Sequence, residues 1–371
     1  MERDKVKGML WGLIVGDALG SPIQFSSKDN HPWITEMEYC PVFDVPAGYW
    51  TDDGSMAMCI MDSFVRKSGY DIKDVAETFV RWLKEGYLSS IEGRSFDVGG
   101  ATSSSLSNFA NTGTLVNGEE SSQGNGSIMR FAPSYIVSRA LNRPEIVREV
   151  SNITHASNRV RETCDVLALI LDLHMAGGRS CYGPGAETPR EKVPNSGWCV
   201  DSLNAAMWAF NTTNTFEEGM IAAVNLGGDS DSIGAIYGQI AGAHYGFDAI
   251  PERWVKAVKT WEDIDALIEK FLDAVERESV FPKVLDLIRR TKKVSVSYIQ
   301  RELGLGYNQA SRMMDWLKEE GYVSVVENYQ EVLDEKAIRE ADEHPERLES
   351  FKSVEDWKSE IERLTTTFRQ D

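Results

Sequence analysis

Gly227-Gly228-Asp229-Ser230-Asp231-Ser232-Ile233-Gly234 opens a stretch that runs on as Ala235-Ile236-Tyr237-Gly238-Gln239-Ile240-Ala241-Gly242-Ala243-His244-Tyr245-Gly246. Its two parts differ in character. From Ile233 to Tyr245 apolar and small residues dominate, which predicts a helix whose Gly and Ala positions admit close helix–helix packing. Ahead of that helix sit two aspartates one residue apart, between hydroxyl side chains. Neighbouring carboxylates repel, and burying them unpaired is expensive.

The same juxtaposition recurs at Trp50-Thr51-Asp52-Asp53-Gly54, and a third acid lies in Gly16-Asp17-Ala18-Leu19-Gly20. A divalent cation removes the repulsion. Carboxylate and hydroxyl oxygens with no Cys or His beside them suit a hard ion such as Mg²⁺ or Mn²⁺. Helix capping is the simpler alternative. Thr51 is a good cap with Asp52 and Asp53 facing the helix dipole, and Asp229 or Ser230 suits the start of the helix from Ile233. The two readings are compatible, because side chains at a helix start can also hold an ion.

Outward from these segments, most of the first 280 residues read as helices joined by glycine-rich turns: Lys5–Leu19, Ser55–Lys67, Asp71–Leu83, Val160–Met175, Val200–Phe210 and Phe216–Leu226. Alternating strand patterns are scarce, so this part is expected to be all-α. Two polar stretches, Thr112–Asn125 and Gly177–Asn195, read as long loops, which in compact domains tend to be functional or mobile.

With 371 residues the chain is long enough for one large and one small domain. Lys plus Arg is 39 and Asp plus Glu is 58, a formal net charge of −19. Such a chain repels a phosphate backbone overall, so any nucleic-acid contact is confined to a local basic patch. The five cysteines (Cys40, Cys59, Cys164, Cys181, Cys199) are scattered, with no CxxC spacing. Neither a zinc site nor a disulfide framework is indicated, and a cytoplasmic location fits. The apolar run Met9–Val15 is cut short by Asp17 and preceded by Glu2 and Asp4, so it is not read as a signal peptide. No run reaches the roughly 20 apolar residues that a membrane span requires.

Three further segments carry weaker signals. Gly124-Asn125-Gly126-Ser127-Ile128-Met129-Arg130 reads as a glycine turn running into a helix, offering backbone N–H groups to phosphate. Asp97-Val98-Gly99-Gly100 is an acid-bearing turn suited to a base or nucleophile, or merely a surface turn. Thr154-His155 precedes a helix, where a cap with a surface histidine is the simplest reading.

Taken in order, GDALG, TDDG, DVGG, GNGSIMR, ITHA and GGDSDSIGAIYGQIAGAHYG resemble the ADP-ribosylglycohydrolase family, over roughly Lys5 to Ala274. The resemblance implies an all-α orthogonal helical bundle over residues 1–278 and a centre of two divalent ions, Mg²⁺ or Mn²⁺. It assigns Thr51, Asp52 and Asp53 as one group of metal ligands and Asp229, Asp231 and Ser232 as the other, Ser232 standing where the family usually has Thr. Asp97 matches the acid beside the scissile ribose and, with Asp53, is the expected catalytic residue. Asn125, Gly126 and Ser127 match a phosphate loop, His155 a cleft histidine, and Asp17 a supporting acid. The implied activity is metal-dependent removal of ADP-ribose from a modified protein, with arginine as the expected acceptor. In one place the chain departs from the pattern. Where the family commonly reads P-x-E-F, this chain has Pro22-Ile23-Gln24-Phe25. Gln24 cannot accept a proton as a base, but it can position water or substrate by hydrogen bonding. The alternative expectation is therefore an ADP-ribose-binding protein, or one that blocks an ADP-ribosyltransferase, with little turnover.

A boundary is expected near Ser279–Pro282. Beyond it, Lys283–Ser324 holds eight basic and five acidic side chains, a local basic excess. Residues 282–326 read helix, turn at Gly304–Gly306, helix, strand. They resemble the winged-helix gamma domain of FtsK-type DNA translocases, which implies DNA contact through Asn308, Gln309 and Arg312. Asp315, Glu319 and Glu320 on the same helix oppose phosphate contact, and a protein-interaction role is the alternative. Residues 327–371 are acidic and read as a helical tail.

Overall fold

Helices α1 (Arg3–Gly20) and α10 (Ser230–Tyr245) form the centre of the larger of two units. Their contact is made by backbone. Gly8, Gly12, Gly16 and Gly20 of α1 face Gly242, Gly238, Gly234 and Ser230 of α10, so the helices run antiparallel. A Cβ placed on Gly12 would lie 2.2 Å from the Gly238 carbonyl oxygen, and one on Gly238 would lie 1.9 Å from that of Gly12. No side chain larger than hydrogen fits at such a crossing. Both helices are buried nearly all round, as central helices must be.

In this computed structural model the described residues are 1–326 and 330–333. The other helices of the first unit are α2 (Asp52–Lys67), α3 (Ile72–Glu85), α4 (Gly100–Thr112), α5 (Ala132–Ala140), α6 (Ile146–Asn152), α7 (Asn158–Met175), α8 (Cys199–Thr212), α9 (Phe216–Val224) and α11 (Glu252–Ala257). Each lays an apolar face on the central pair or its neighbours, with Trp11, Trp82 and Trp254 among the largest fully buried side chains. The fold is helical, as expected from the scarcity of alternating patterns. Asp71 caps α3 by accepting from the N–H groups of Lys73 and Asp74. All five cysteines are free thiols. Among the described residues no helix is long and apolar enough to cross a membrane.

The chain divides into compact units at Ala274/Val275. That point lies inside α12 (Trp261–Thr291), and Pro282, placed at a boundary from the sequence, stands within the same helix. In the second unit Phe281, Val284 and Ile288 of α12 build a small core with α13 (Val296–Leu303) and α14 (Tyr307–Glu319). Ser295 caps α13, and Gly304, in a left-handed conformation (φ 65°), ends it. Strand β1 (Val323–Val326) pairs antiparallel with β2 (Gln330–Leu333) in the register Val323 to Leu333. Helix, turn, helix and hairpin make a winged-helix arrangement. The hairpin corrects one expectation: residues 330–333, read as part of an acidic helical tail, are the second strand of the wing. The rest of that tail, 334–371, lies outside the described residues.

Candidate active site

The glycine contact between α1 and α10 brings Asp17, near the end of α1, beside Asp231, in the first turn of α10. The start of α2 completes the group. Asp17, Asp53 and Asp231 are buried and each offers a carboxylate oxygen within 4.8 Å of the others. Asp17 is committed to the backbone: it accepts from the N–H groups of Thr51 (2.8 Å) and Gly54 (2.8 Å). It thereby caps α2. Thr51 stands at the cap position but makes no cap bond with its side chain, and its Oγ1 donates to Asp53 Oδ2 (3.1 Å). Asp229 likewise stands at the cap position of α10 without a cap bond. Capping by their own side chains therefore does not account for either acidic cluster.

Asp53 Oδ1 and both carboxylate oxygens of Asp231 are buried without a hydrogen-bond partner. Burial is the first cause that raises the pKa values of Asp52, Asp53 and Asp231 well above the usual carboxylate range, and repulsion from neighbouring aspartates adds to it. Asp17 is pushed up to about 7 by burial, against the pull of its two backbone donors. Asp97 and Asp229 also move upward, again chiefly by burial. Orphaned carboxylate oxygens and oxygen-only donors fit a hard divalent cation, which would supply the missing counter-charge.

Above this cluster opens a cleft of about 450 Å³. Asp52, Asp97, Asp229, Asp231 and Ser232 line it, as do Gln24, Asn125, Gly126 and His155. Asp17, Thr51, Asp53 and Ser127 are buried but not part of the lining. Among the described lining residues none is Lys or Arg. A diphosphate entering here meets four carboxylates, so it needs a cation or backbone N–H groups as partners.

Asp97 is no simple surface turn: it adopts φ 55° and accepts from Gln24 Nε2 (2.8 Å). Asn125 Nδ2 donates to Asp229 Oδ2 and to Ser202 Oγ (2.9 Å), which fixes the aspartate's orientation. Ser127 Oγ pairs with Ser151 Oγ (2.8 Å), so its side chain anchors the loop. His155 is buried, contrary to the surface reading, and Ser157 rather than Thr154 caps the following helix α7. Burial and nearby Arg130 push the His155 pKa down to about 3, so its ring is neutral.

Three residues missed in the sequence complete the arrangement. Arg130 is fully buried, donates through Nη1 to the Gly126 carbonyl and through Nη2 to Thr154 Oγ1 (2.6 Å). Thr154 Oγ1 in turn bonds His155 Nδ1 (2.8 Å). The hydroxyl donates to Nδ1 when the ring carries its proton on Nε2 and accepts from Nδ1–H in the other tautomer. The ring lies against Gly126, where a Cβ would come within 2.9 Å of Nε2. Ser202 is the third. Arg130 was present in the GNGSIMR motif, but its inward direction is a tertiary fact.

Asn308, Gln309 and Arg312 lie in the second unit, on α14. Asn308 is exposed and Gln309 partly so. Arg312 is held by Glu276 through Nε (2.9 Å) and Nη2 (2.7 Å).

Comparison with known proteins places these features. The profile of the family described as ADP-ribosylglycohydrolase matches residues 1–280, and that described as Ftsk gamma domain matches residues 275–331. An ADP-ribosylarginine hydrolase Tri1 of Pseudomonas putida (strain GB-1) is 34% identical over 293 residues, covering 73% of this chain and 78% of its own. A solved structure titled ADP-ribosylglycohydrolase-related protein complex aligns with a TM-score of 0.62 at 32% identity, over 74% of this chain and 98% of that one. A DNA translocase FtsK of Pasteurella multocida (strain Pm70) is 43% identical over 56 residues, which are 15% of this chain and 6% of the translocase.

Proposed function

The chain belongs to the ADP-ribosylglycohydrolase family and is an ADP-ribosyl hydrolase by that membership; from this premise we propose that it acts on ADP-ribosyl-arginine in proteins and requires two divalent cations, Mg²⁺ or Mn²⁺. The observation that carries the metal requirement is the set of buried, partnerless oxygens on Asp53 and Asp231 beneath a cleft rich in carboxylates. Thr51, Asp52 and Asp53 would hold the ions from one side, and Asp229, Asp231 and Ser232 from the other. Bound there, divalent cations supply charge neutralisation and Lewis acidity.

This chain's own residues do the rest. The Gly124 and Gly126 backbone holds the diphosphate end beside the neutral His155 ring, and Asn125, whose N–H and Nδ2 are given to Gly197, Ser202 and Asp229, shapes that loop. Breaking the bond from ribose C1″ to the guanidino nitrogen sends the electron pair to nitrogen and builds oxocarbenium character at C1″. Asp97 opposes that positive charge and takes the proton of the incoming water at Oδ1, the oxygen to which Gln24 does not donate. Gln24, unable to carry a proton itself, orients Asp97, and its bond opposes the upward push that burial gives the Asp97 pKa.

The test is release of free ADP-ribose from an arginine-ADP-ribosylated protein with Mg²⁺ or Mn²⁺, and again with EDTA. Metal-dependent release, lost in Asp97→Ala with folding intact, is the expected result. Binding of ADP-ribose without release would favour the second reading, a binding protein, for which Gln24 in place of the family's Glu is the motive.

The winged-helix unit suggests DNA contact, with Asn308 and Gln309 at the start of α14 as its reading residues. Arg312 serves less readily, because Glu276 already holds its guanidinium. A gel-shift titration of the full chain at low salt, native against a double variant Asn308→Ala, Gln309→Ala, tests this. Equal binding by the two would remove α14 from the interface.

A further inference from the structure

Gln24 and Phe25 carry features that holding ADP-ribose leaves unused. Gln24 is 4% exposed, and its Nε2 donates to Asp97 Oδ2 (2.8 Å). In this bond the amide nitrogen faces Asp97 and the amide oxygen points away from that carboxylate. Gln24 Oε1 is left buried without a partner, on a side chain that lines the cleft. An acceptor in that condition costs about 1–3 kcal/mol unless a ligand donates to it.

Phe25 follows directly. It lines the same cleft, is 66% exposed, and adopts φ 64°. A left-handed phenylalanine is strained, by about 1–3 kcal/mol, and strain of this kind collects at functional sites. The backbone imposes it: Phe25 N–H donates to the Gly228 carbonyl (2.7 Å) and Gly228 N–H to that of Ser26 (2.7 Å). The fold therefore spends conformational strain on a phenylalanine whose ring stays largely in solvent. Asp97, the residue that Gln24 bonds, is left-handed too.

One edge of the cleft thus combines an orphaned acceptor, an exposed aromatic ring and a carboxylate. A flat cation bearing N–H donors satisfies all three: it stacks on an aromatic face, donates to an amide oxygen and is attracted by negative charge. A guanidinium has this chemistry. A serine-linked ribose offers neither the charge nor the plane.

We propose that Gln24 and Phe25 form the acceptor edge of the cleft, Gln24 Oε1 accepting an N–H of the ADP-ribosylated arginine and the Phe25 ring stacking on its guanidinium. This rests on the hydrolase reading above and adds the residues that select the acceptor.

Two quantities test it on the full chain with Mg²⁺: KM for the small molecule ADP-ribosylarginine, replaced by its Kd if the chain proves not to turn it over, and Kd for free ADP-ribose by calorimetry. Phe25→Ala should raise the first about five- to tenfold and leave the second unchanged. Phe25→Tyr should remain within roughly twofold of native and Phe25→Leu should behave as Ala, since the aromatic face is what matters. An equal loss for free ADP-ribose would overturn the proposal by assigning the ring to the nucleotide. No loss for either ligand would overturn it as well. Should the native chain release nothing yet bind ADP-ribosylarginine more tightly than ADP-ribose, with Phe25→Ala removing the difference, the hydrolase reading fails while this one stands.

Discussion

The carboxylate of Asp17 in α1 accepts the N–H of Gly54 in the first turn of α2, 2.8 Å away. With its second bond, from Thr51 N–H, it caps a helix to which it does not belong. Asp52 and Asp53, which would ordinarily serve a helix start, are released from that duty. Asp17→Ala should therefore cost about 1–2 kcal/mol of stability even in EDTA, as losing a cap does. Urea unfolding at constant EDTA measures it; an unchanged midpoint would mean that other groups satisfy those N–H donors.

Asp53 and Asp231 behave oppositely. Their partnerless oxygens bear repulsion and burial with no compensation in the metal-free chain. Asp231→Asn and Asp53→Asn should each raise the melting temperature in EDTA and abolish the further rise that Mg²⁺ gives the native chain. Scanning calorimetry with and without Mg²⁺ reads both effects. A variant that loses stability in EDTA yet keeps the Mg²⁺ response would place the ion elsewhere.

At the crossing of α1 and α10, Gly12→Ala or Gly238→Ala sets a methyl group within 2.2 Å of a carbonyl oxygen. The helices must part, at a cost of about 1–3 kcal/mol or more. Because Asp17 and Asp231 sit on these helices, the metal response should weaken along with stability. Denaturant midpoints and Mg²⁺ titrations of the two variants check this, and loss of stability with full Mg²⁺ affinity would uncouple the crossing from the site.

Much of this was legible. The acidic pairs announced themselves because adjacent carboxylates are a poor structural choice, and helix α10 was visible in its apolar and small residues. The four-residue spacing of Gly8, Gly12, Gly16 and Gly20 against Gly234, Gly238, Gly242 and Gly246 was also written in the chain, although its meaning needs the partner helix. Other features had no local sign. Helix α4 is built from Ser, Thr, Asn and Ala, with Leu106 and Phe109 as its apolar anchors, so tertiary packing rather than propensity holds it. That Asp17 caps α2, that Arg130 turns inward and that Asp97 meets Gln24 are contacts between segments far apart in sequence. Pro282, of a residue type that usually breaks helices, is accommodated inside a long helix, which its local sequence does not announce.

Thr154 links Arg130 to His155 by a hydrogen bond to each. Thr154→Val keeps the shape and removes the hydroxyl. Nδ1 then loses its hydrogen-bond partner and Arg130 loses an acceptor. Affinity for ADP-ribose should fall about three- to tenfold, as for a lost hydrogen bond. Calorimetric titration measures it, and ¹⁵N shifts of the ring distinguish a changed tautomer from a general loosening, which would leave the native tautomer in place.

At the far end of α10, His174 and His244 approach with their Nδ1 atoms 3.1 Å apart. Burial, then the neighbouring His244, pushes the His174 pKa down to about 4; Arg179 and Lys5 act in the same direction, and a bond to the Gly178 backbone opposes them. The sign follows from proton counting. Above about pH 6.5 His174 is neutral in folded and unfolded chains and contributes no pH dependence. Between there and about pH 4 only the unfolded chain takes up the proton, so stability is lost as pH falls through that window. Carboxylates of the site add their own pH dependence, but they are common to native protein and to His174→Gln. The difference in melting temperature between the two, measured in EDTA, should therefore shift in favour of His174→Gln as pH drops from 7 to 5. A constant difference across that range would show that His174 takes up its proton in the folded chain as readily as in the unfolded one.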